Sequence, residues 1–501
     1  MTLSQVPIHR VVVLGGGSAG FMSALTLKKM LPHLDVTVVH SSTLPPIGVG
    51  ESTTSLIPLF LHQGLQIDAM EFFREVSPTW KLGIRFDWGE KGAGDYYYPF
   101  DLPVADSRSG TLGKENAYYF FADKNVFSHY SFMMEEGRSP CFPKVDGGFQ
   151  MSDQFGYHIE NRAFISCLNR IALSRGIKVV DQVIENVTLK SDVEISSVDL
   201  ANGTSLSADL YVDCTGFSSR LLGMALGEPF VDYGGSLFCD SAVTGSWNRE
   251  SGVLPYTLCQ TMDNGWCWQI ELADRVNRGY VFSSQFCSVD EAVTEFRRCN
   301  PLMSDECRTV KFRSGRYQRF WVGNVAAIGN ASGFVEPLES TGLHMVAVTS
   351  RTLGQALVDT ECRPPASMKA QINDYIGRMW DDIRNFLAIH FAFNRTRDTP
   401  FWKHCHENTD LSGVQPLLDF YRDCGPSSIA SELIPSNSVF RHAGYLAMLI
   451  GQRVPSNYEF SVSPTELKQW SQIRSRVRST ALEAIPVDDG LALLRRQAGG
   501  T

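Results

Sequence analysis

The stretch Val11-Val-Val-Leu-Gly-Gly-Gly-Ser-Ala-Gly20 decides the fold of this 501-residue chain. A β-branched run is followed at once by the pattern Gly15-x-Gly17-x-x-Gly20, and apolar residues then recur at helical spacing up to Pro32. Because Val36-Thr-Val-Val39 supplies a second strand, residues 9–40 predict the strand–helix–strand opening of a Rossmann-like α/β fold. The glycines let a pyrophosphate approach backbone N–H groups at the helix N-terminus, where the helix dipole favours negative charge.

Two later segments favour FAD over a nicotinamide cofactor. Leu210-Tyr-Val212 leads into Asp213-Cys-Thr-Gly-Phe217, and Val325-Ala-Ala-Ile328 leads into Gly329-Asn-Ala-Ser-Gly333. Both are similar to the further FAD-contacting motifs of flavoprotein hydroxylases, which a single-site NAD dehydrogenase would not need. His40 stands at the end of the second strand, where an acidic residue usually binds the ribose, and NADP therefore stays a formal alternative.

Composition narrows the class of protein. The net charge of -9 and scattered basic residues argue against nucleic acid as a partner. No run of about 18 apolar residues predicts a membrane span, and the first residues lack the basic-then-apolar pattern of a secretory signal. The 12 cysteines include no CxxC pair, which fits reduced thiols in a cytoplasmic enzyme. We expect no metal site, because only His404-x-His406 pairs histidines closely, and we interpret that pair as a surface helix end.

The chain divides into two predicted parts. Residues 1–370 form the α/β body, with aromatic, glycine-rich loops over an active site at about 85–155. Residues 371–501 form a mostly helical region that packs on the body and closes the substrate pocket. One of its helices begins with Ser463-Pro-Thr-Glu466, a capping box. The buried stripes predicted here are Ile383, Phe386, Leu387, His390 and Phe393 on one helix, and Leu467, Trp470, Ile473 and Val477 on the capped one.

Three further motifs carry a resemblance to a known family. Gly48-Val-Gly-Glu-Ser-Thr-Thr54 resembles a GVGEAT-type loop, Trp266-Cys-Trp-Gln-Ile270 resembles the start of WxWxIP, and Phe334–Gly342 matches FVEPLESTG at every position. These are motifs of the flavin-dependent tryptophan halogenases, and the resemblance runs from about residue 9 to at least 345. Glu271 departs from the family pattern, because proline ends its WxWxIP motif. Taken alone, Trp266 and Trp268 predict core packing about as well as any direct role.

The resemblance implies the chemistry. Such halogenases use FADH2 from a separate NAD(P)H-dependent flavin reductase, with O2 and chloride or bromide, to make hypohalous acid at the flavin. Lys81, in Trp80-Lys-Leu-Gly-Ile-Arg-Phe86, matches the lysine that presents the electrophilic halogen. On composition alone it would be a surface lysine. Glu339 matches the catalytic glutamate, and Glu336 is the nearby acid with which it could be confused.

The resemblance also implies the remaining site residues. The FAD-binding residues would be Gly15, Gly17, Ser18, Ala19, Gly20, Val49, Gly50, Glu51, Ser52, Val183, Gly329 and Asn330. The halide would lie at the backbone N–H groups of Thr341 and Gly342, because a glycine-containing turn can aim adjacent amides at one anion. The substrate contacts would be Tyr98, Phe100 and Ser340. His344, which follows the halide turn, would line the pocket or pack beneath it.

The substrate stays open at this stage. Tyr98 and Phe100 stand where free-tryptophan halogenases have a His-x-Phe pair, and both could stack on an aromatic ring. No convincing copy of the groups that grip an amino acid's ammonium and carboxylate follows, so an indole or another electron-rich aromatic is as plausible as free tryptophan. A carrier-bound pyrrole or phenol is less plausible, and a homodimer is an open expectation. The alternatives are a single-component aromatic monooxygenase, which needs no Lys81–Glu339 pair, and a non-catalytic flavin-binding protein.

Overall fold

The computed structural model describes residues 6–43, 50–89, 92, 95–101, 118, 128–145, 148–303, 306–459 and 461–499. The sheet that contains the strand before the Gly15–Gly20 turn has six strands. Five of them are parallel and the last is antiparallel. In sheet order the strands are Lys178–Asp181, Asp35–His40, Arg10–Leu14, Leu210–Asp213, Val325–Ala327 and Trp321–Val322. All strands predicted from buried apolar runs are confirmed. Their carboxyl ends therefore meet at one edge of the sheet, below called the glycine edge.

The first helix, Ser18–Met30, lies between this sheet and two further helices, Gly342–Asp359 and Asn161–Ser174. Its side chains Phe21, Leu25 and Leu27 are buried together with Val11 and Val13 of the central strand. Because the helix is covered on several sides, it is apolar almost all round. The predicted strand–helix–strand opening is confirmed, and the helix ends just before Pro32.

A second sheet has seven strands. In order they are Arg308–Lys311, Ser241–Asn248, Arg275–Phe282, Gly265–Glu271, Thr257–Met262, Gly83–Asp87 and Tyr96–Pro99. A three-stranded sheet next to it contains Glu51–Ser52, Gly156–Ile159 and Thr79–Lys81. Three smaller sheets contain Ile184–Ser191, Glu194–Leu200 and Ser205–Leu206; Phe230–Asp232, Gly315–Tyr317 and Gly333–Phe334; Cys141–Pro143 and Phe149–Met151.

The predicted loop region of about 85–155 is more regular than expected. The strand Tyr96–Pro99 pairs antiparallel with Gly83–Asp87, and the rings of Phe86 and Tyr96 stack with centroids 5.1 Å apart. Such cross-strand aromatic pairs stabilise a sheet. A helix, His129–Glu135, also falls within this region. Most of residues 102–127 lie outside the described residues.

The C-terminal region is helical, as predicted, with no strand among its described residues. Its helices are Ala366–Phe393, Pro400–Asn408, Gln415–Cys424, Arg441–Gly451, Pro464–Leu482 and Val487–Gln497. The remaining α-helices among the described residues are Leu56–Leu59, Ala69–Val76 and Val289–Cys299. Helix Arg441–Gly451 packs against the strand Tyr96–Pro99, so the helical region reaches the aromatic side of the seven-stranded sheet. No described helix is long and apolar enough to cross a membrane.

The predicted capping box of the helix Pro464–Leu482 is confirmed. The Ser463 hydroxyl accepts from the Glu466 backbone N–H at 3.2 Å, and the Glu466 carboxylate accepts from the Ser463 backbone N–H at 2.7 Å. The predicted stripe is only partly right, because Trp470 and Val477 are buried while Leu467 is 54% exposed. On the helix Ala366–Phe393 the predicted face is confirmed for its four buried members, and Phe393 is half-buried.

Candidate active site

The glycine edge is built from backbone. A Cβ atom on Gly20 would lie 1.8 Å from the Gly15 carbonyl oxygen, so only glycine allows this close approach of helix and turn. Gly17 differs, because a Cβ atom there would meet nothing within 4 Å. Gly17 also caps the helix Ser18–Met30 without any side-chain hydrogen bond. The first turn of the helix therefore faces open space with free N–H groups, a suitable cradle for a phosphate group.

The other predicted residues of the turn serve partly in packing. The Ser18 hydroxyl donates to the Asn161 side-chain oxygen at 3.1 Å and is buried. Gly329, at the carboxyl end of its strand, approaches Ala19 so closely that a Cβ atom would lie 2.9 Å from the Ala19 methyl group. Asn330 follows it in a single 3-10 turn and is half-buried. The strand-to-turn elements predicted from separate motifs thus meet at one place.

His40, which stands where an acid usually binds the ribose, packs against the turn. A Cβ atom on Gly16 would lie 2.3 Å from the Cβ of His40, and the His40 ring contacts Phe21 edge-on at 6.3 Å. Val183 follows the neighbouring strand Lys178–Asp181, so it lies at the same glycine edge and is 36% exposed.

The predicted loop at 48–54 is only partly described, and Val49 lies outside the described residues. Gly50 has a φ of 91°, and its neighbours Glu51 and Ser52 pair antiparallel with the strand Gly156–Ile159. Burial raises the pKa of the Glu51 carboxyl to about 7. The Ser52 hydroxyl accepts a hydrogen bond from the Ser340 hydroxyl at 3.0 Å, and Ser340 connects it to Lys81. This loop therefore connects the proposed flavin side of the molecule with the lysine.

Lys81 ends the strand Thr79–Lys81 and is completely buried, against the expectation from composition alone. Its Nζ atom donates to the Ser340 hydroxyl at 2.7 Å and lies 5.0 Å from the centre of the Phe100 ring. Burial lowers the pKa of the amine to about 7, although the Glu339 carboxylate and the Cys259 thiol act in the opposite direction. A lysine in this state has a large neutral fraction at pH 7 and is a candidate nucleophile.

Glu339 reaches the same region from the other side. It ends the 3-10 turn Pro337–Glu339, and Ser340 then adopts a left-handed conformation with a φ of 58°. This turn directs the Ser340 hydroxyl to Lys81 while the Glu339 carboxylate lies 2.9 Å from His390 Nε2. Ser340 was predicted to contact the substrate. In the structure its hydroxyl is buried and forms hydrogen bonds with Lys81 and Ser52 instead.

The two glutamates of the FVEPLESTG segment have different surroundings. The Glu336 carboxyl accepts a hydrogen bond from the Trp266 indole N–H, and desolvation raises its pKa to about 8. It is therefore mostly neutral at pH 7, as a buried structural acid is. Glu339, by contrast, acts on the pKa of Lys81. The geometry thus favours Glu339 over Glu336 as the partner of the lysine.

The predicted halide position coincides with a helix N-terminus. Thr341 is the N-cap of the 18-residue helix Gly342–Asp359, makes no side-chain cap and has no acidic residue in the following turn. Gly342 is exposed, and the helix dipole directs partial positive charge toward this end. His344 is half-buried here, with Nδ1 3.0 Å from the Thr54 hydroxyl, and burial lowers its pKa to about 4.

The two predicted aromatic contacts, Phe100 and Tyr98, lie near Lys81 and Glu339. Phe100 is half-buried next to Lys81, and Tyr98 is buried against Phe386 with ring centroids 6.1 Å apart. Burial raises the pKa of the Tyr98 phenol well above 10, and the Glu339 carboxylate adds to this effect. The backbone of Gly444 covers the hydroxyl, since a Cβ atom there would lie 2.3 Å from it.

The WxWxI segment is structural. Trp266 and Trp268 are buried on the strand Gly265–Glu271, where the Trp268 ring lies directly over Gly279. Glu271, which replaces the family's proline, is buried and forms an ion pair with Arg249. These contacts agree with the interpretation that Trp266 and Trp268 pack in the core. The Glu271 carboxylate is paired with Arg249.

The sequence predictions missed two groups of buried polar residues that contact Glu339 or connect to Lys81. His390 was placed only on a buried helical face, yet its ring contacts Glu339. A buried set of polar residues, Thr79, His158 and Thr257, connects to Lys81 through Ser52 and Ser340. These residues lie far apart in the chain, and no short motif links them. The His404-x-His406 pair packs against Phe238 and the Asn394 carbonyl, and the described residues contain no group of three metal-type ligands.

Comparison with known proteins identifies the relatives. The model of the tryptophan halogenase family matches residues 10–464. RebH, the tryptophan 7-halogenase of Lentzea aerocolonigenes, is 32% identical over 449 residues, covering 83% of this chain and 82% of RebH. The crystal structure of MibH, a lanthipeptide tryptophan 5-halogenase, is 38% identical with a TM-score of 0.88, covering 97% of this chain and 93% of MibH. That of the tryptophan 6-halogenase SttH from Streptomyces toxytricini is 30% identical with a TM-score of 0.84, covering 97% and 99%.

The parallel sheet with its glycine turn is a dinucleotide-binding fold, and similarity to the halogenase MibH over 97% of this chain places it among the flavin-binding oxidoreductases. The chain belongs to the tryptophan halogenase family, because the family model spans most of its length. It is a flavin-dependent halogenase, an enzyme that uses reduced flavin, dioxygen and halide, as predicted. Enzymes of this family act on aromatic substrates and depend on a separate flavin reductase. The family decides against the monooxygenase and the non-catalytic flavin protein.

Proposed function

We propose that this enzyme halogenates a tryptophan-like aromatic ring by electrophilic substitution, with Lys81 and Glu339 as its catalytic residues. The observation that carries the proposal is the completely buried Lys81 amine, whose pKa is lowered to about 7 next to the Glu339 carboxylate. A large fraction of such an amine is neutral at pH 7 and has a free lone pair. The surrounding apolar side chains exclude water, which would otherwise consume a reactive halogen species.

We assign FAD as the flavin, bound along the glycine edge. The open first turn after Gly17 fits the pyrophosphate, and Ala19, Gly20, Gly329 and Asn330 lie beside it. Ser18 contributes its backbone, since its hydroxyl is bonded to Asn161. His40 and Val183 border the same edge and fit the adenosine half, while Gly50, Glu51 and Ser52 fit the half nearer to Lys81. Reduced FAD would supply the electrons with which dioxygen and halide form hypohalous acid.

The halide would bind at the uncapped helix N-terminus formed by Thr341 and Gly342. Several N–H groups there lack a partner from a cap, and no acidic side chain in the first turn repels an anion. This position directly follows Glu339 and Ser340 in the chain. One short turn would therefore link the halide site to Lys81, and hypohalous acid would have only a short path to the lysine.

Lys81 would take the halogen from hypohalous acid. The amine lone pair attacks the halogen, the halogen–oxygen bond breaks, and the departing hydroxide takes one N–H proton to become water. As the ring carbon takes the halogen, the N–halogen bond breaks and its electron pair stays on the Lys81 nitrogen. The ring then loses a proton, and the return of that proton to the nitrogen restores the amine. Glu339 can stabilise the cationic ring and accept that proton, with His390 holding the carboxylate in place.

The substrate pocket would lie on the aromatic side of Lys81 and Glu339. Phe100, half-buried beside the lysine, is the first stacking surface, and Tyr98 forms the wall near Glu339. Similarity to MibH, whose name refers to a lanthipeptide, is as extensive as similarity to RebH, so an indole within a peptide and a free indole are both candidates. An NAD(P)H-dependent reductase as the flavin source, a cytoplasmic location and a homodimer stay predictions.

Replacing the lysine tests the proposal. The purified enzyme with FAD, a flavin reductase, NADH and bromide is assayed against free tryptophan, indole and a tryptophan-containing peptide, with products detected by bromine isotope pattern. Lys81→Ala should bind FAD normally and yield no brominated product. Lys369→Ala is the matched control, because this half-buried lysine bonds to the Gly323 carbonyl away from the site. Halogenation retained by Lys81→Ala would contradict the assignment.

A further inference from the structure

A chain of hydroxyl groups leads from Lys81 to a buried histidine on the neighbouring strand. The Lys81 amine donates to Ser340 at 2.7 Å, Ser340 donates to Ser52 at 3.0 Å, and Ser52 lies 2.7 Å from Thr257. The Thr257 hydroxyl in turn lies 2.8 Å from His158 Nε2. His158 is completely buried, and neither it nor Thr257 belongs to the motifs that carry the family resemblance.

The direction of this chain follows from the supply of hydrogens. Each hydroxyl has one hydrogen to donate. Ser340 accepts from Lys81 and gives its hydrogen to Ser52, so Ser52 can donate to Thr257, and Thr257 can donate to His158 Nε2. All donors then point away from Lys81.

The far side of His158 completes the same pattern. Its Nδ1 atom lies 3.4 Å from the Thr79 hydroxyl, and that hydroxyl donates to the Glu271 backbone carbonyl, which can only accept. Burial lowers the pKa of His158 well below 6.5, and the positive charges of Lys81 and Arg249 lower it further. The imidazole is therefore neutral, with hydrogen on Nδ1 and a free acceptor at Nε2.

We propose that His158 is a positioning residue for halogen transfer, which acts through Thr257, Ser52 and Ser340 to keep the lone pair of the Lys81 amine free. If the hydrogen bonds between these hydroxyl groups pointed in the opposite direction, Ser340 would donate its hydrogen to the lone pair of the Lys81 amine. The amine could then not attack the halogen. With Nε2 of His158 as the final acceptor, the neutral amine gives one N–H to Ser340 and keeps its lone pair for hypohalous acid. This inference rests on the function proposed for Lys81.

Thr257→Val tests the inference, because it removes one hydroxyl link and keeps the branched shape of the side chain. The complete enzyme is supplied with FAD, reductase, NADH and bromide, and brominated product is measured per reduced flavin oxidised. We expect unchanged flavin binding and flavin oxidation, and a loss of product yield of roughly tenfold, the effect of one hydrogen bond to a charged or reacting group. Thr257→Ser, which restores the hydroxyl, should recover the wild-type yield within about twofold.

A second pair of variants addresses the histidine directly. His158→Gln can offer a side-chain oxygen to Thr257 and should retain most of the yield, whereas His158→Leu should lose it. A normal yield from Thr257→Val, while Lys81→Ala is inactive, would overturn the role of His158 and leave the proposed function intact. Loss of flavin binding by Thr257→Val would also overturn it, since the chain would then support the Gly50–Ser52 loop instead. Halogenation by Lys81→Ala would overturn both.

Discussion

The glycine edge of the six-stranded sheet and the region around Lys81 are built in opposite ways. At the glycine edge, backbone groups form the surface proposed to hold the flavin, and one continuous stretch, Gly15–Gly20, supplies its turn. Around Lys81, buried polar side chains provide it, and they come from strands and turns as distant in the chain as Ser52 and Ser340. The first region needs particular backbone conformations. The second needs each buried polar group to have a partner, because an unpaired one is costly to bury.

The largest effect is expected from breaking the glycine edge, where two glycines give opposite predictions. Gly20→Ala places a methyl group against the Gly15 carbonyl and should lower the thermal unfolding temperature and abolish flavin binding and turnover. Gly17→Ala meets no atom of the protein within 4 Å, so it should leave folding unchanged and still weaken FAD binding by about tenfold through the occupied cradle.

Thermal unfolding without flavin and a flavin titration separate the two variants. If Gly17→Ala bound FAD as tightly as the wild-type enzyme, the open space at the helix N-terminus would not be the pyrophosphate site. If Gly20→Ala folded and bound normally, the close contact of turn and helix would not matter.

A smaller but still large effect is expected from the glutamate near Lys81. Glu339→Gln keeps an oxygen for His390 and removes the negative charge, so halogenation should fall by roughly 10² while flavin binding is unchanged. Glu336→Gln is the matched control. Because burial raises the pKa of Glu336 to about 8, this side chain is already mostly neutral at pH 7, and its amide can still accept from Trp266. Turnover numbers at pH 7 are the measurement, and equal losses in both variants would contradict the distinction.

The smallest effect is a pH-dependent change in stability at Lys81. Its pKa is about 7 in the folded enzyme and about 10.4 in an unfolded chain, so the unfolded state binds more protons between these values. Burial of this lysine therefore destabilises the folded state most at pH 7 and below, and the cost disappears as pH rises toward 10. Lys81→Met should raise the free energy of unfolding most at pH 7, with the gain shrinking by at most ~1.4 kcal/mol per pH unit.

Urea unfolding of both proteins at pH 7, 8 and 9 measures this difference. Lys369→Met provides the comparison, because that lysine is only partly buried and should give a weaker pH dependence in the same direction. A gain for Lys81→Met that is the same at all three pH values would show that the folded lysine keeps its ordinary pKa.

The two regions also differ in how far sequence alone could predict them. The turn at Gly15–Gly20, the strands Leu210–Asp213 and Val325–Ala327 and the cap at Ser463 are local patterns, and the structure has them as predicted. The prediction that Leu467 is buried was wrong, because helical spacing alone does not show which face of a helix a neighbouring element covers. The strand Tyr96–Pro99 was not predicted, because its Tyr-rich sequence forms a strand by pairing with Gly83–Asp87.

Sequence by itself determined the fold class, the family and the identity of Lys81 and Glu339 as candidates, because short motifs and apolar periodicity fix local conformation and are preserved in linear order. Only the tertiary structure decided that Lys81 is buried, that Glu336 and Glu339 have different surroundings, and that His158 contacts Thr257 and His390 contacts Glu339. Burial and hydrogen-bond partners are set by which strands and turns meet in space, and here Ser52 and Ser340 meet although they are 288 residues apart in the chain.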